Sequence, residues 1–156
     1  MKPKVIMIAA ILGLAATGAG AAQYQVERTL QLPLSSTETW HQIGDFCDID
    51  DWHPNISACA LKVIDGRLHR VLKTTEGAEI VEQRIAAEQG LSYTYKISSS
   101  PFPVEKYTAT FAITPNDGTL ISWSARFSSD DPSMEAAIIQ LIEEGLLAIE
   151  NSVGMQ

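Results

Sequence analysis

Positive charge is scarce in this chain. Its 11 lysines and arginines stand against 19 aspartates and glutamates, a net charge of −8. Such an acidic protein is a poor match for phosphate backbones or anionic lipid, so nucleic-acid binding is set aside. The acidity either keeps the chain soluble or steers it toward a basic partner. Histidine and cysteine are rarer still, with three and two copies. His41, His53 and His69 do not fall at metal-ligand spacing, and two cysteines supply too few ligands for zinc. Asp48, Asp50 and Asp51 lack the glycine and terminal glutamate of a calcium loop and read as a solvated turn. There is no glycine-rich phosphate cradle, no Ser-His-Asp set and no carboxylate pair on an inward face. No metal and no cofactor is expected. Internal repeats, linkers and low-complexity stretches are missing as well.

The N-terminus has three parts. Lys2 and Lys4 supply charge, Val5 to Ala16 is apolar, and Thr17 to Ala22 is small and ends in an Ala-x-Ala step. That is the layout of a cleavable secretory signal over residues 1–22. The apolar run is shorter than the roughly 20 residues of a spanning helix, and no cysteine follows it to carry a lipid. A periplasmic or secreted domain over residues 23–156 is therefore expected, with no stable membrane insertion after cleavage. Losing Lys2 and Lys4 takes the basic count from 11 to 9 against 19 acidic residues, a net charge of −10.

Alternation at a period of two marks strands at Tyr24–Leu34, Ile56–Ile64, Leu68–Thr74, Glu79–Ala86, Leu91–Ser98, Val104–Thr114 and Thr119–Phe127. Asp65-Gly66, Glu76-Gly77, Gln89-Gly90 and Asn116-Asp117-Gly118 mark tight turns, and Ser98–Pro103 a longer, stiffer one. Ser35 with Glu38 forms a capping box ahead of a short helix carrying Trp40, Ile43 and Phe46, and Ile49–Trp52 adds a second. Asp131 and Pro132 open a last helix with one broad apolar stripe, Met134 to Ile149. The fold class is α+β: a seven-stranded curved antiparallel sheet around a long C-terminal helix, with two short helices after the first strand. One helix is too small to fill so long a concave face, and the unfilled part predicts a pocket.

Taking the more apolar parity as inward places Leu91, Tyr93, Tyr95 and Ile97 on one strand. Tyr107, Ala109, Phe111 and Ile113 follow on the next, and Ile121, Trp123, Ala125 and Phe127 on the last. The same rule puts Val81, Gln83 and Ile85 inward on the fourth strand, and Glu82 and Arg84 outward. This face is aromatic, with three tyrosine hydroxyls, the Trp123 indole and the Gln83 amide as its polar tips. It suits a planar, mostly apolar ligand, or else it simply fills the core. Small Ala109 and Ala125 among the large rings favour a cavity. The expected ligand-binding set is Trp52, His53, Val81, Gln83, Tyr93, Tyr95, Ile97, Phe102, Tyr107, Phe111, Trp123, Phe127, Ile138 and Leu141.

The densest stretch is Asp45 to Cys59, which holds both cysteines and Trp52-His53-Pro54. Cys47 and Cys59 are expected to form a disulfide in an oxidising compartment, the alternative being two buried free thiols. Neither carries the signature of a nucleophile. His53 titrates near neutral pH and is a candidate ligand donor or general base at the pocket mouth, or a structural histidine bonding a local carbonyl.

These features carry a resemblance. The order of elements resembles the START-like, or SRPBCC, helix-grip domains, which include polyketide cyclases and the birch-pollen allergen. Gly44-Asp45-Phe46, Trp52-His53-Pro54 and Cys59 resemble bacterial proteins of the polyketide cyclase/dehydrase type. So do Pro101-Phe102-Pro103-Val104, Tyr107 and Trp123. The likeness spans residues 24 to 153. A further similarity is to the plant abscisic-acid receptors, which implies lids at Thr74–Ala78 and Ser98–Pro103 and pocket aromatics at Tyr95 and Tyr107. Their ligand-binding lysine is absent, His53 falling near its place, and neither loop carries their gate or latch sequence. Among exported relatives, some resemble an accessory protein of periplasmic methanol oxidation.

Three functions are consistent with these residues. The first is an exported binding or carrier protein for a hydrophobic small molecule. The second is a cyclase, dehydratase or lyase acting by substrate positioning, with His53, Tyr95 and Tyr107 as candidate catalytic groups. The third is an accessory protein docking a periplasmic oxidoreductase as its protein partner.

Overall fold

The computed structural model describes residues 20–153. The expected signal therefore lies outside the described residues up to residue 19. The first strand, β1 (Ala22–Leu32), leads into α1 (Ser36–Ile43) and α2 (Ile49–Trp52). Six strands follow: β2 (Ile56–Ile64), β3 (Arg67–Thr74), β4 (Glu79–Glu88), β5 (Ser92–Ser99), β6 (Glu105–Pro115) and β7 (Thr119–Ser129). The chain then enters α3 (Met134–Val153). The sheet order is β1-β7-β6-β5-β4-β3-β2, with every neighbouring pair antiparallel. This is the expected seven-stranded architecture.

Local signals explain the elements. Ser35 accepts from the Glu38 amide while the Glu38 carboxylate reaches back to the Ser35 backbone, so the capping box is present. Such a cap contributes roughly 1 kcal/mol. Asp65 and Gly66 both have positive φ, 51° and 73°, as a two-residue hairpin turn requires. At the last helix, the Asp131 carboxylate accepts from the Ser133 amide at 2.9 Å, just ahead of Met134.

The sheet bends at bulges in β2, β4, β5 and β6. Each inserts a residue into the ladder and sharpens the local twist. The concave face closes on α3, whose Met134, Ile138, Ile142, Gly145, Leu146, Ile149 and Val153 are buried. Each large apolar side chain so removed from water contributes about 1.5–3 kcal/mol, which holds the helix in the grip of the sheet.

Cys47 and Cys59 are bonded, with Cα atoms 5.5 Å apart. Two polar bonds reinforce this tie. The Asp50 carboxylate accepts from the Cys59 amide at 2.8 Å, and the Phe46 carbonyl accepts from Arg70 at 2.7 Å. The segment leading into α2 is thereby fastened across the β2 edge of the sheet.

Candidate functional site: a closed hollow under the aromatic face

Register builds the site. Tyr93, Phe111 and Trp123 stand opposite one another across β5, β6 and β7. Phe111 stacks on Tyr93 at 5.5 Å and meets Trp123 edge to face at 5.7 Å. The next inward row is Tyr95, Ala109 and Ala125. The two alanines leave room for the Tyr95 ring to lean across, and its hydroxyl accepts from the Trp123 indole N–H at 3.0 Å. Trp52 drops in from α2, stacked on Phe111 at 5.8 Å and edge-on to Trp123 at 5.7 Å.

The result corrects the expected pocket. A hollow does lie between the sheet, His53, the β5–β6 loop and α3, but its volume is about 40 Å³. That admits on the order of one or two waters, each needing about 30 Å³, far below the ~300 Å³ of a ligand pocket. The space expected beside Ala109 and Ala125 is taken by the Tyr95–Trp123 pair. A wider groove of about 290 Å³ runs outside, between the end of α1 and the β4–β5 turn.

Of the expected ligand-binding residues, His53, Tyr95, Ile97, Phe102, Tyr107, Trp123, Ile138 and Leu141 line the hollow. Trp52, Tyr93, Phe111 and Phe127 are packed in the surrounding core. Val81 and Gln83 do not line it, although Gln83 is buried, and Ile85 is exposed. On β4 it is Ile80 and Glu82 that reach the hollow, because Glu82 stands opposite Arg70 and Ile80 opposite Leu72. The parity rule fails here because the inward residue is a carboxylate. Ile49, Ile56, Arg70 and Leu72 complete the wall. The shared parity of Arg70 with Leu72 is the signal that would have found the arginine.

Arg70 is the one fully buried cation among the described residues. Its Nε donates to Glu82 Oε2 at 2.6 Å and its Nη1 to the Phe46 carbonyl at 2.7 Å. Its Cζ lies 4.4 Å from the centroid of the Phe46 ring and 4.7 Å from that of Tyr95. Burial disfavours the charge, but Glu82 and the tyrosines outweigh it and hold the guanidinium pKa above its ordinary value.

His53 is spoken for at both nitrogens. Its Nε2–H donates to the Leu141 carbonyl at 3.1 Å, and its Nδ1 accepts from the Asn55 amide at 3.2 Å. Burial lowers its pKa, opposed by the Leu141 bond and by Glu144. The Asn55 side chain donates to Glu144 at 2.6 Å, clasping α3 a second time. Burial raises the pKa of Tyr95 and of Tyr107, so both hydroxyls keep their protons. Trp52 Nε1 is the one buried side-chain polar atom without a partner among the described residues.

Residues 23–154 match the family model described as polyketide cyclase / dehydrase and lipid transport. No curated protein matches the chain. Among solved structures, the chain is similar to an uncharacterised protein of Bacillus thuringiensis, with 26% identity and a TM-score of 0.77, covering 83% of this chain and 98% of that one. It is also similar to the protein XoxI of Bacillus cereus, with 26% identity and a TM-score of 0.76, covering 83% and 94%. The Zhui aromatase/cyclase of a Streptomyces species shares the fold alone, with 13% identity and a TM-score of 0.70 over 85% and 94% of the two chains.

Proposed function

The chain belongs to the polyketide cyclase / dehydrase and lipid transport family, and from that membership we propose that it binds a small, largely apolar molecule between the sheet and α3. The observation that carries this reading is where the hollow lies, since its volume of about 40 Å³ must grow to admit such a molecule. It is walled from both short-helix and strand segments, from Phe102 in the β5–β6 loop and from α3. Entry requires the loop or α3 to move outward and the Tyr95–Trp123 pair to part. The loop is held by Phe102 and Val104 packed against the core and by Ser129 Oγ donating to the Pro103 carbonyl at 2.6 Å.

Binding is favoured over turnover because the groups in the hollow that could move a proton are already engaged, Glu82 by Arg70 at 2.6 Å. Both His53 nitrogens are engaged, and burial raises the Tyr95 and Tyr107 pKa values, which disfavours either hydroxyl as a base. The Cys47–Cys59 bond supports a place of action outside a reducing cytosol, in the periplasm or beyond the cell.

The neutral fluorescent probe N-phenylnaphthylamine tests the reading. It should bind with a rise in emission, quench Trp123 and raise Tm. A probe that stays dark and leaves Tm unmoved, together with no retained small molecule in native mass spectra, ends the proposal.

A further inference from the structure

Arg70 and Glu82 put a closed ion pair into the wall of a hollow whose other polar lining includes His53 and the Tyr95 and Tyr107 side chains. A guanidinium has five N–H donors fixed in one plane. The bonds to Glu82 and the Phe46 carbonyl place two of them. The Phe46 and Tyr95 ring centroids lie 4.4 Å and 4.7 Å from the Arg70 Cζ and 6.3 Å from each other, so the two rings flank the cation at about a right angle rather than sandwiching it. Three N–H groups are left to the tyrosine hydroxyls or to whatever enters.

The charge of the pair decides what may enter. Glu82 already neutralises Arg70, so a carboxylate would arrive as a third, uncompensated charge in a buried site. Its desolvation would go unrecovered. A bare hydrocarbon brings no such cost but offers the donors nothing. A ketone or hydroxyl oxygen accepts an N–H and adds no charge, and bonds to an ionised partner are the strong ones.

We infer that the ligand is an apolar molecule carrying a neutral carbonyl or hydroxyl oxygen, which docks on Arg70 while carboxylates of the same shape are refused. This rests on the binding reading above and names the class of molecule that the same hollow takes.

A matched series tests it on the unaltered protein: acetylnaphthalene, naphthol, ethylnaphthalene and naphthoate, followed by calorimetry and Trp123 quenching. The ketone and the naphthol should bind at least about tenfold tighter than the hydrocarbon or the acid. Equal affinity across the series leaves the binding reading standing and overturns the anchor. Naphthoate as the tightest ligand overturns it too. No binding by any member defeats both the reading and the inference. The double variant Arg70→Met/Glu82→Leu removes the pair together and leaves no orphaned charge. It should bring the ketone-to-hydrocarbon ratio to about one. A ratio unchanged in that variant would place the oxygen elsewhere.

Discussion

His53 reaches the backbone of α3 itself, its Nε2–H bonding the carbonyl oxygen of Leu141 at 3.1 Å. The contact exists because residue 145, one turn further along, is glycine. A Cβ there would lie 2.8 Å from His53 Cδ2 and 2.9 Å from Trp123 Cζ3. Both are atoms of buried rings with nowhere to go. The Trp-His-Pro corner and the helix are thus fitted to each other through a missing side chain.

Gly145→Ala should therefore destabilise the protein, although alanine is the better helix former by about 1 kcal/mol. The overpacking cost of about 1–3 kcal/mol outweighs that gain. Urea denaturation would show a lower midpoint with an unchanged slope. A higher midpoint would mean that α3 is not seated on His53.

The pH dependence of stability follows from the same histidine. Its folded pKa is lowered by burial, so the unfolded chain takes up the proton first. Stability from this group is full above the ordinary histidine value of about 6.5. It falls as pH drops from there through the lowered folded value, then levels off. Denaturation of the parent and of His53→Gln between about pH 7.5 and 4.5 should show a steeper loss in the parent, the difference being the histidine's share. Glutamine keeps a donor for Leu141 but cannot titrate.

The disulfide should contribute about 3 kcal/mol by loop closure over twelve positions. Paired substitution Cys47→Ala/Cys59→Ala should lose that amount in denaturant. It should also speed amide exchange between Asp45 and His53, since the tie to the sheet would then rest on Asp50 against β2 and Arg70 of β3. Exchange that stays slow there would show that the two hydrogen bonds suffice.

Strand positions, turn types and the Ser35–Glu38 cap were legible in the chain because each rests on neighbours in sequence. Asp65-Gly66 needs only its own backbone to make a hairpin. The face of β4 was not legible. Two bulges interrupt its register, between Val81 and Glu82 and between Arg84 and Ala86, and the parity that reads as apolar does not line the hollow. A buried carboxylate looks like a surface residue until its cation is found on the next strand. The size of the hollow was hidden for a different reason. Ala109 and Ala125 announce space, but only coordinates show that the Tyr95–Trp123 pair fills it.

Arg70 and Glu82 yield the last prediction, a contrast between single and double substitutions. Arg70→Met leaves Glu82 in the wall without a partner and should cost about 3–5 kcal/mol. Glu82→Leu strands a guanidinium that is fully buried and should cost a similar amount. Together the two changes replace the pair by apolar side chains of similar volume. Most of the loss should then return, because the desolvation cost of both charges disappears with their attraction. The Phe46 carbonyl still loses its donor, so recovery should stop short of the parent by about 1 kcal/mol. Additive losses would mean that the two charges are not coupled in the folded protein, and the wall of the hollow would have to be redrawn without them.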